Sequence, residues 1–322
     1  MAGFQQNRII NKKRRAIVPG KRLSEADFRR AFLHQQGKIQ NRNEMHQKTK
    51  SSAIIIQEKY VKILSDRLLP EKWNGRRQLW NISDYKELIM ADIMIERCNK
   101  LSTAVLADAC LHLGIQIRCA PSELQAISNT MHCAGRVRPT HHTGSVDIFL
   151  EALEYSDPGD VLVVDDGGRR DRACVGDLIA HEVQLAGLSG IVLWGCHRDT
   201  RQLVDIGLPF FSIGRHPSSP QSLDRRTHDA LEWARVGDWI VTYEDVAVGD
   251  GDGVIFLPFN RLTTIVPFAE ALQEKERRQA AIMRYGTSLR EQFYFEDYME
   301  EHSKDPSYDF HKHLNKIGGA IE

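Results

Sequence analysis

Apolar positions between Asp157 and Asp199 fall into two short runs, Val161 to Val164 and Ile191 to Trp194, each followed directly by a Gly-rich polar segment. Short apolar runs bounded by turn residues read as buried strands. Between them, Leu178, Ile179, Val183 and Ala186 recur at helical spacing and Gly187 supplies a stop. The spacing predicts a helix starting near Gly176-Asp177 with those four residues on its buried face. A right-handed crossover makes the two strands parallel, so the loops Asp165 to Gly168 and Gly195 to Asp199 leave the same sheet edge.

The same reading extends along the chain. Ser102 caps a helix running through Leu113 and ending at Gly114, and Cys133 to Arg138 is a strand. A short helix to Ile206 and a strand from Leu208 to Ile213 follow Asp199, and Gly237 to Val241 with Gly253 to Leu257 is predicted to form a β-hairpin whose connection runs from Glu244 to Asp252. A long helix is expected from Arg261 to Arg284, and residues 22–65 read as mostly helical, with Ser24 as N-cap. The chain thus divides into a basic, mostly helical N-terminal extension (1–94), a core (95–270) and a helical C-terminal extension (271–322).

Composition adds one asymmetry. The 322 residues have a formal net charge of zero, yet residues 1–60 contain 14 Lys/Arg against 4 Asp/Glu. A basic arm of this kind is a solvated extension or, as an alternative, a surface for nucleic acid. No apolar segment follows Lys12-Lys13-Arg14-Arg15 and no run approaches the roughly 18 apolar residues of a membrane span, so a cytoplasmic protein that binds no membrane is expected. The six cysteines include no CxxC pair, which argues for reduced thiols, and Cys196 is read as a packing residue.

Ligands of open α/β sheets sit outside the carboxyl ends of the strands, and a helix N-terminus favours an anion. Arg198 can supply a planar fork for a carboxylate, and Asp199 beside it can hold a hard divalent cation directly or through water. The alternatives are a plain Arg198–Asp199 ion pair and an N-cap role for Asp177. His141-His142 point to opposite sides of an extended chain and read as ordinary loop or substrate-contact residues. Glu244, Asp245, Asp250 and Asp252 lack EF-hand spacing and read as turn residues. No lysine occurs between Lys100 and Lys275, so the core can form no Schiff base and carries no P-loop; carbon–carbon cleavage in it requires a metal.

Gly176-Asp177-Leu178, then Gly187-Leu188-Ser189-Gly190 and Gly195-Cys196-His197-Arg198-Asp199, resemble the signature of the RraA-like family. The resemblance covers roughly residues 98–270 and includes Ser102-Thr103-Ala104 with Asp108-Ala109, Ala134-Gly135-Arg136-Val137 and Gly251-Asp252-Gly253-Val254. It implies a swivelling β/β/α, phosphohistidine-domain-like α/β core assembled as a homotrimer or hexamer. It also implies a class II aldolase that cleaves a 4-hydroxy-2-oxo acid to pyruvate and a carbonyl product, with oxaloacetate decarboxylation as a side activity and Mg²⁺ or Mn²⁺ as Lewis acid. By resemblance, the backbone at Gly176, Asp177, Leu178 and Ile179 holds the pyruvyl carboxylate, Arg198 neutralises its charge and Asp199 anchors the metal. Asp177 would orient metal-bound water or take part in proton transfer. The family also implies a second possibility, a non-catalytic regulator that binds a ribonuclease or RNA.

Overall fold

The computed structural model describes residue 90 and residues 92–318. The chain divides into two units, 1–87 and 88–322, and only the second falls within the described residues. The basic arm and the helices expected over 22–65 lie outside them.

The described unit is α/β, built on a curled mixed sheet with helices on its faces. Its sequence of elements begins with α1 (Thr103–His112), whose N-cap Ser102 accepts a hydrogen bond from the Val105 N–H as expected of a serine cap. Then come β1 (Gln125–Ala126), β2 (Cys133–His141), α2 (Asp147–Glu154), β3 (Val161–Asp165) and β4 (Ala173–Val175). They are followed by α3 (Asp177–Leu185), β5 (Gly190–His197), α4 (Thr200–Ile206) and β6 (Phe210–Arg215). The chain continues through β7 (Trp233–Val236), β8 (Trp239–Thr242), β9 (Asp245–Asp250) and β10 (Gly253–Pro258) into α5 (Leu262–Arg284).

The strands run in the order β1-β6-β5-β3-β2-β9-β10, with β4 paired to β5. The crossover prediction holds: β3 and β5 are adjacent and parallel, Val161 to Asp165 facing Gly190 to Trp194. β2 and β6 join them in parallel, so the carboxyl ends of four strands share one edge. β2 is nine residues long because it serves two partners: Cys133–Arg136 pair antiparallel with β9, and Val137–His141 pair with β3. Gly135 sits at that changeover, where a Cβ would strike the Gly159 carbonyl oxygen.

β3 is apolar except for its last residue and buried throughout, because the sheet is covered on both sides. One face packs Leu162, Val164, Ile191 and Leu193 against Phe149 of α2 and Val183 of α3. Inside the curl, Val161, Val163, Val192, Phe211 and Phe256 form a second cluster. A third sets α1 and α5 against β9 and β10 through Leu106, Ala109, Val248, Ile255 and Ile265. Fully buried phenylalanines such as Phe149 and Phe211 each contribute about 1.5–3 kcal/mol by leaving water.

Three expectations are corrected. The predicted hairpin does not form: β8 pairs with β7, and β10 pairs with β9, which occupies most of the presumed connection. The apolar Val246-Ala247-Val248 of β9 is masked in the sequence by flanking acids. Those acids serve partners distant in the chain: Asp250 accepts from the Thr103 N–H (2.8 Å) and hydroxyl (2.7 Å), and Asp245 pairs with Arg118 at 2.6 Å. Secondly, β4 intervenes between β3 and α3; three residues are too few to show a period. Thirdly, Leu178 is 74% exposed, because the buried face of α3 runs along Ile179, Ala180 and Val183, about 100° round the helix.

Beyond α5 the chain forms three short helices, Leu289–Gln292, Phe295–Lys304 and Phe310–Ile317. They gather Phe293, Phe295, Tyr298 and the buried His313 around Phe310. For His313, Nε2–H donates to the Phe293 carbonyl (2.7 Å), which leaves Nδ1 to accept from the Tyr308 hydroxyl at 3.2 Å. Among the described residues no helix is long and apolar enough to cross a membrane.

Candidate active site

The site is assembled where β4 meets α3 and β5 meets α4. β4 ends at Val175, whose carbonyl accepts from the Arg198 N–H at 3.0 Å, tying the two strand ends together. Gly176 is the N-cap of α3, with φ of −132°, and Asp177 is the helix's first residue. Asp177 is therefore not the cap; one of its carboxylate oxygens accepts from the Leu178 N–H at 2.8 Å.

Asp199 is the N-cap of α4 and adopts the left-handed conformation, φ 59° and ψ 39°. Aspartate tolerates this region better than most residues, yet the conformation still costs energy. The carboxylate makes no capping bond to α4. It turns instead towards Gly176: a Cβ there would lie 2.5 Å from Asp199 Oδ2 and 3.1 Å from Arg198 Nε. Glycine at 176 is what allows the three residues to converge.

Arg198 Nε stands 3.3 Å from Asp199 Oδ2, and their side chains remain 44% and 33% exposed. Arg198 Nη1 also donates to the Ser219 hydroxyl, from the long loop that follows β6. A loose, half-exposed ion pair of this kind contributes little to stability, about 0–1 kcal/mol, so neither charge is committed to its partner. Gly176, Arg198 and Asp199 are thus brought together. Leu178 and Ile179 can offer only backbone, since one side chain points to solvent and the other into the core.

The sequence reading missed His197. Its ring is buried between a 2.7 Å contact from Nδ1 to Ser212 Oγ on β6 and a 2.9 Å contact from Nε2 to Thr200 Oγ1 on α4. Burial, with Arg215 nearby, pushes its pKa down. Ser212 donates its single proton to the Gly214 carbonyl, so His197 Nδ1–H donates to Ser212 and Nε2 accepts from Thr200. Cys196, in contrast, matches the packing role expected of it: it is buried, and burial raises its thiol pKa.

A second polar cluster lies at the end of β3. Asp166 is buried and accepts from Arg172 Nη2 (2.5 Å) and Nε (3.3 Å), with His142 Nδ1 at 2.9 Å from the same carboxylate. His142 stacks on Phe149, and Cys174 lies close enough that one donor atom each from His142, Asp166 and Cys174 falls within 4.8 Å of the others. This donor set would suit zinc by type. However, Arg172 already neutralises Asp166, and burial pushes the Cys174 thiol well above its ordinary pKa. The cluster is closed upon itself. His141, on the other side of the strand, pairs with Asp165 at 3.1 Å.

Asp199 fits a different ion. It is a single hard oxygen donor, half-exposed and uncapped, and Mg²⁺ or Mn²⁺ binds through one or two carboxylates while keeping waters and substrate oxygens. No described cluster of three ligating side chains includes Asp199.

These observations define the class: an α/β protein with a glycine-capped helix start and an Arg-Asp pair at the carboxyl edge of its parallel strands. The chain belongs to the RraA-like family, whose profile, described as Aldolase/RraA, matches residues 103–256. A protein of Alkalilimnicola ehrlichii provisionally named 4-hydroxy-4-methyl-2-oxoglutarate aldolase is 34% identical over 122 residues, 34% of this chain and 76% of that one. One of the same name from Albidiferax ferrireducens is 32% identical over 111 residues, 31% and 64% of the two chains. The chain therefore spans just under two thirds of this second relative's length. Among solved structures, Streptomyces coelicolor RraAS2, described as an unusual member of the RNase ES inhibitor RraA protein family, superposes with a TM-score of 0.51 at 26% identity, covering 59% of this chain and 96% of that one. An uncharacterized protein from Pseudomonas syringae shares the fold with a TM-score of 0.54 at 24% identity, covering 62% and 95%.

Proposed function

We propose that this protein is a divalent-metal-dependent lyase that cleaves a 4-hydroxy-2-oxo acid to pyruvate and a carbonyl product, with oxaloacetate decarboxylation as a side activity. The observation that carries the reading is the left-handed Asp199, turned away from its own helix and towards Gly176. The names of the aldolase-like relatives support it, as does the lysine-free core, which has no amine for Schiff-base chemistry.

The first N–H groups of α3 and the positive end of its dipole receive the substrate's carboxylate. Arg198, kept in place by Ser219, neutralises the negative charge of the pyruvyl fragment. Asp177 has one oxygen engaged by the Leu178 N–H and offers the other to the proton of the 4-hydroxyl. As that proton leaves, C4 becomes a carbonyl, the C3–C4 bond breaks and its electron pair passes into the 2-oxo group as an enolate. The proton held by Asp177 then returns to C3, directly or through water, to give pyruvate. Asp199 would hold Mg²⁺ or Mn²⁺, which when bound supplies Lewis-acid polarisation of the 2-oxo oxygen. Exposed Leu178 and Leu185 on α3 and Val204 on α4 support assembly into a trimer or hexamer.

The test is pyruvate release, coupled to lactate dehydrogenase, from oxaloacetate and 4-hydroxy-4-methyl-2-oxoglutarate with Mg²⁺ or with EDTA. Metal-dependent turnover is expected, and its loss in Asp199→Asn places the metal at this residue. The likeness to RraAS2 and the basic residues 1–60 favour a second reading, a regulator that binds a ribonuclease or RNA. A shift assay with RNA and a ribonuclease pull-down, with no turnover of either ketoacid, would establish that reading instead.

A further inference from the structure

Asp199 holds an uncommon backbone conformation without the capping bond that would ordinarily reward it, so something else must keep the 198–199 turn in shape. The residues on either side of the Arg198–Asp199 pair are joined to each other. His197 Nε2 meets Thr200 Oγ1 at 2.9 Å, bridging the turn like a clasp. The ring itself cannot move freely. Its Nδ1 is fixed by Ser212 Oγ at 2.7 Å, its edge meets the Phe210 ring at 5.6 Å between centroids, and its own carbonyl accepts from the His216 N–H at 2.8 Å.

Strand β6 is thereby connected through one buried imidazole to the first residue of α4. We infer that His197 is a positioning residue which, through Thr200, sets the aim of the Asp199 carboxylate at Gly176. The clearance on the far side is small: an added Cβ on Gly176 would come within 2.5 Å of Asp199 Oδ2. A shift of a few tenths of an ångström at Thr200 therefore changes how the carboxylate presents its oxygens. Side chains that orient a ligating group without touching the ion commonly alter metal affinity by 10–100-fold when removed.

This inference rests on Asp199 being the metal-binding residue. It is tested by titrating Mn²⁺ into the full chain and reading bound ion by water-proton relaxation, before any substrate is added. Thr200→Val keeps size and shape but removes the hydroxyl, and should weaken Mn²⁺ binding about tenfold with the circular dichroism spectrum unchanged. Thr200→Ser restores the hydroxyl and should bind within about twofold of wild type. His197→Ala should lose at least as much as Thr200→Val; if it fails to fold, the Thr200 pair decides. Wild-type affinity in Thr200→Val, or equal losses in the valine and serine variants, overturns the inference. A wild-type chain that binds no Mn²⁺ overturns the metal-site reading and this inference together, and is distinguished because it appears before any substitution. Full Mn²⁺ behaviour without pyruvate release removes only the lyase reading and supports the clasp.

Discussion

Asp166 and Asp199 follow neighbouring parallel strands, and each stands against an arginine, but their surroundings differ. Asp166 is buried, with Arg172 on both oxygens and His142 on one. Asp199 is a third exposed, with Arg198 at 3.3 Å and no cap to serve. A buried carboxylate whose partners are all supplied from within cannot release them to a ligand without a large desolvation cost. A half-exposed one in a loose ion pair loses little when a cation or substrate displaces its neighbour. Residue type alone would have favoured the first cluster as the metal site, because it contains histidine and cysteine. The difference lies in what each group still has to offer.

The largest expected effect follows from this contrast. Asp199→Asn should lower pyruvate release by at least about 10³-fold, equivalent to about 4 kcal/mol of transition-state stabilisation. Asparagine also tolerates the left-handed region, so stability should change by less than about 0.5 kcal/mol. A melting curve and a coupled assay on the same preparation check both halves. A large fall in Tm with activity retained would invert the roles of the two carboxylates.

Arg172→Ala should behave in the opposite way. It leaves Asp166 buried without its counter-charge, which costs about 3–5 kcal/mol. For a domain of this size that is a fall in Tm of roughly 10 °C, read by thermal denaturation. Zinc should not raise the Tm of the wild-type chain, because Arg172 occupies the place a cation's charge would take. A zinc-dependent rise would show the cluster to be open after all.

How much of this could be read beforehand follows from the same physics. β3 and β5 are legible because strands covered on both faces are apolar at every position, and Val161–Val164 lies within one residue of the observed strand. β9 is just as apolar at its centre but is obscured by Asp245 and Asp250, whose charges serve partners more than a hundred residues away in the chain. Gly176, Arg198 and Asp199 were legible as a resemblance and as chemistry. The left-handed turn that aims Asp199 was not, because nothing in the local sequence demands it. Nor was His197, whose partner Ser212 lies on the next strand of the sheet, fifteen residues on. Pairings across strands depend on register, and register is set by the fold.

Gly176→Ala sharpens the comparison from the glycine side. With φ of −132° the backbone accepts alanine without strain, so the methyl group acts only through contact. It must displace Asp199 Oδ2 or Arg198 Nε. A displacement approaching 1 Å at a reacting group costs about 10²-fold in rate, so kcat/KM should fall by about that much while Tm stays nearly constant. An alanine variant of wild-type activity would mean that the carboxylate's aim at Gly176 is without consequence.

The smallest effect concerns His141 and Asp165, a pair intermediate between the two carboxylates in exposure. The hydrogen bond to Asp165 raises the His141 pKa against the opposing effect of burial. Burial pushes Asp165 up, but His141 and the N–H groups of Gly167 and Arg235 outweigh it and leave its pKa lowered. A raised histidine contributes stability below its unfolded pKa of about 6.5 and loses it as pH rises through the folded value; a lowered aspartate contributes above about 4 and loses it as pH falls through its own folded value. The pair therefore contributes most between about pH 4 and 6.5. His141→Gln, which keeps a hydrogen-bond donor but no charge, should lower Tm by no more than about 2–4 °C near pH 5. The gap to wild type should close as pH rises past the folded pKa of His141. A gap that stays constant across that range would mean the imidazole is neutral in the folded protein and that the 3.1 Å contact is an uncharged hydrogen bond. Asp165 would then owe its low pKa to uncharged donors, the His141 ring and the two backbone N–H groups, and would resemble Asp166 in being satisfied from within.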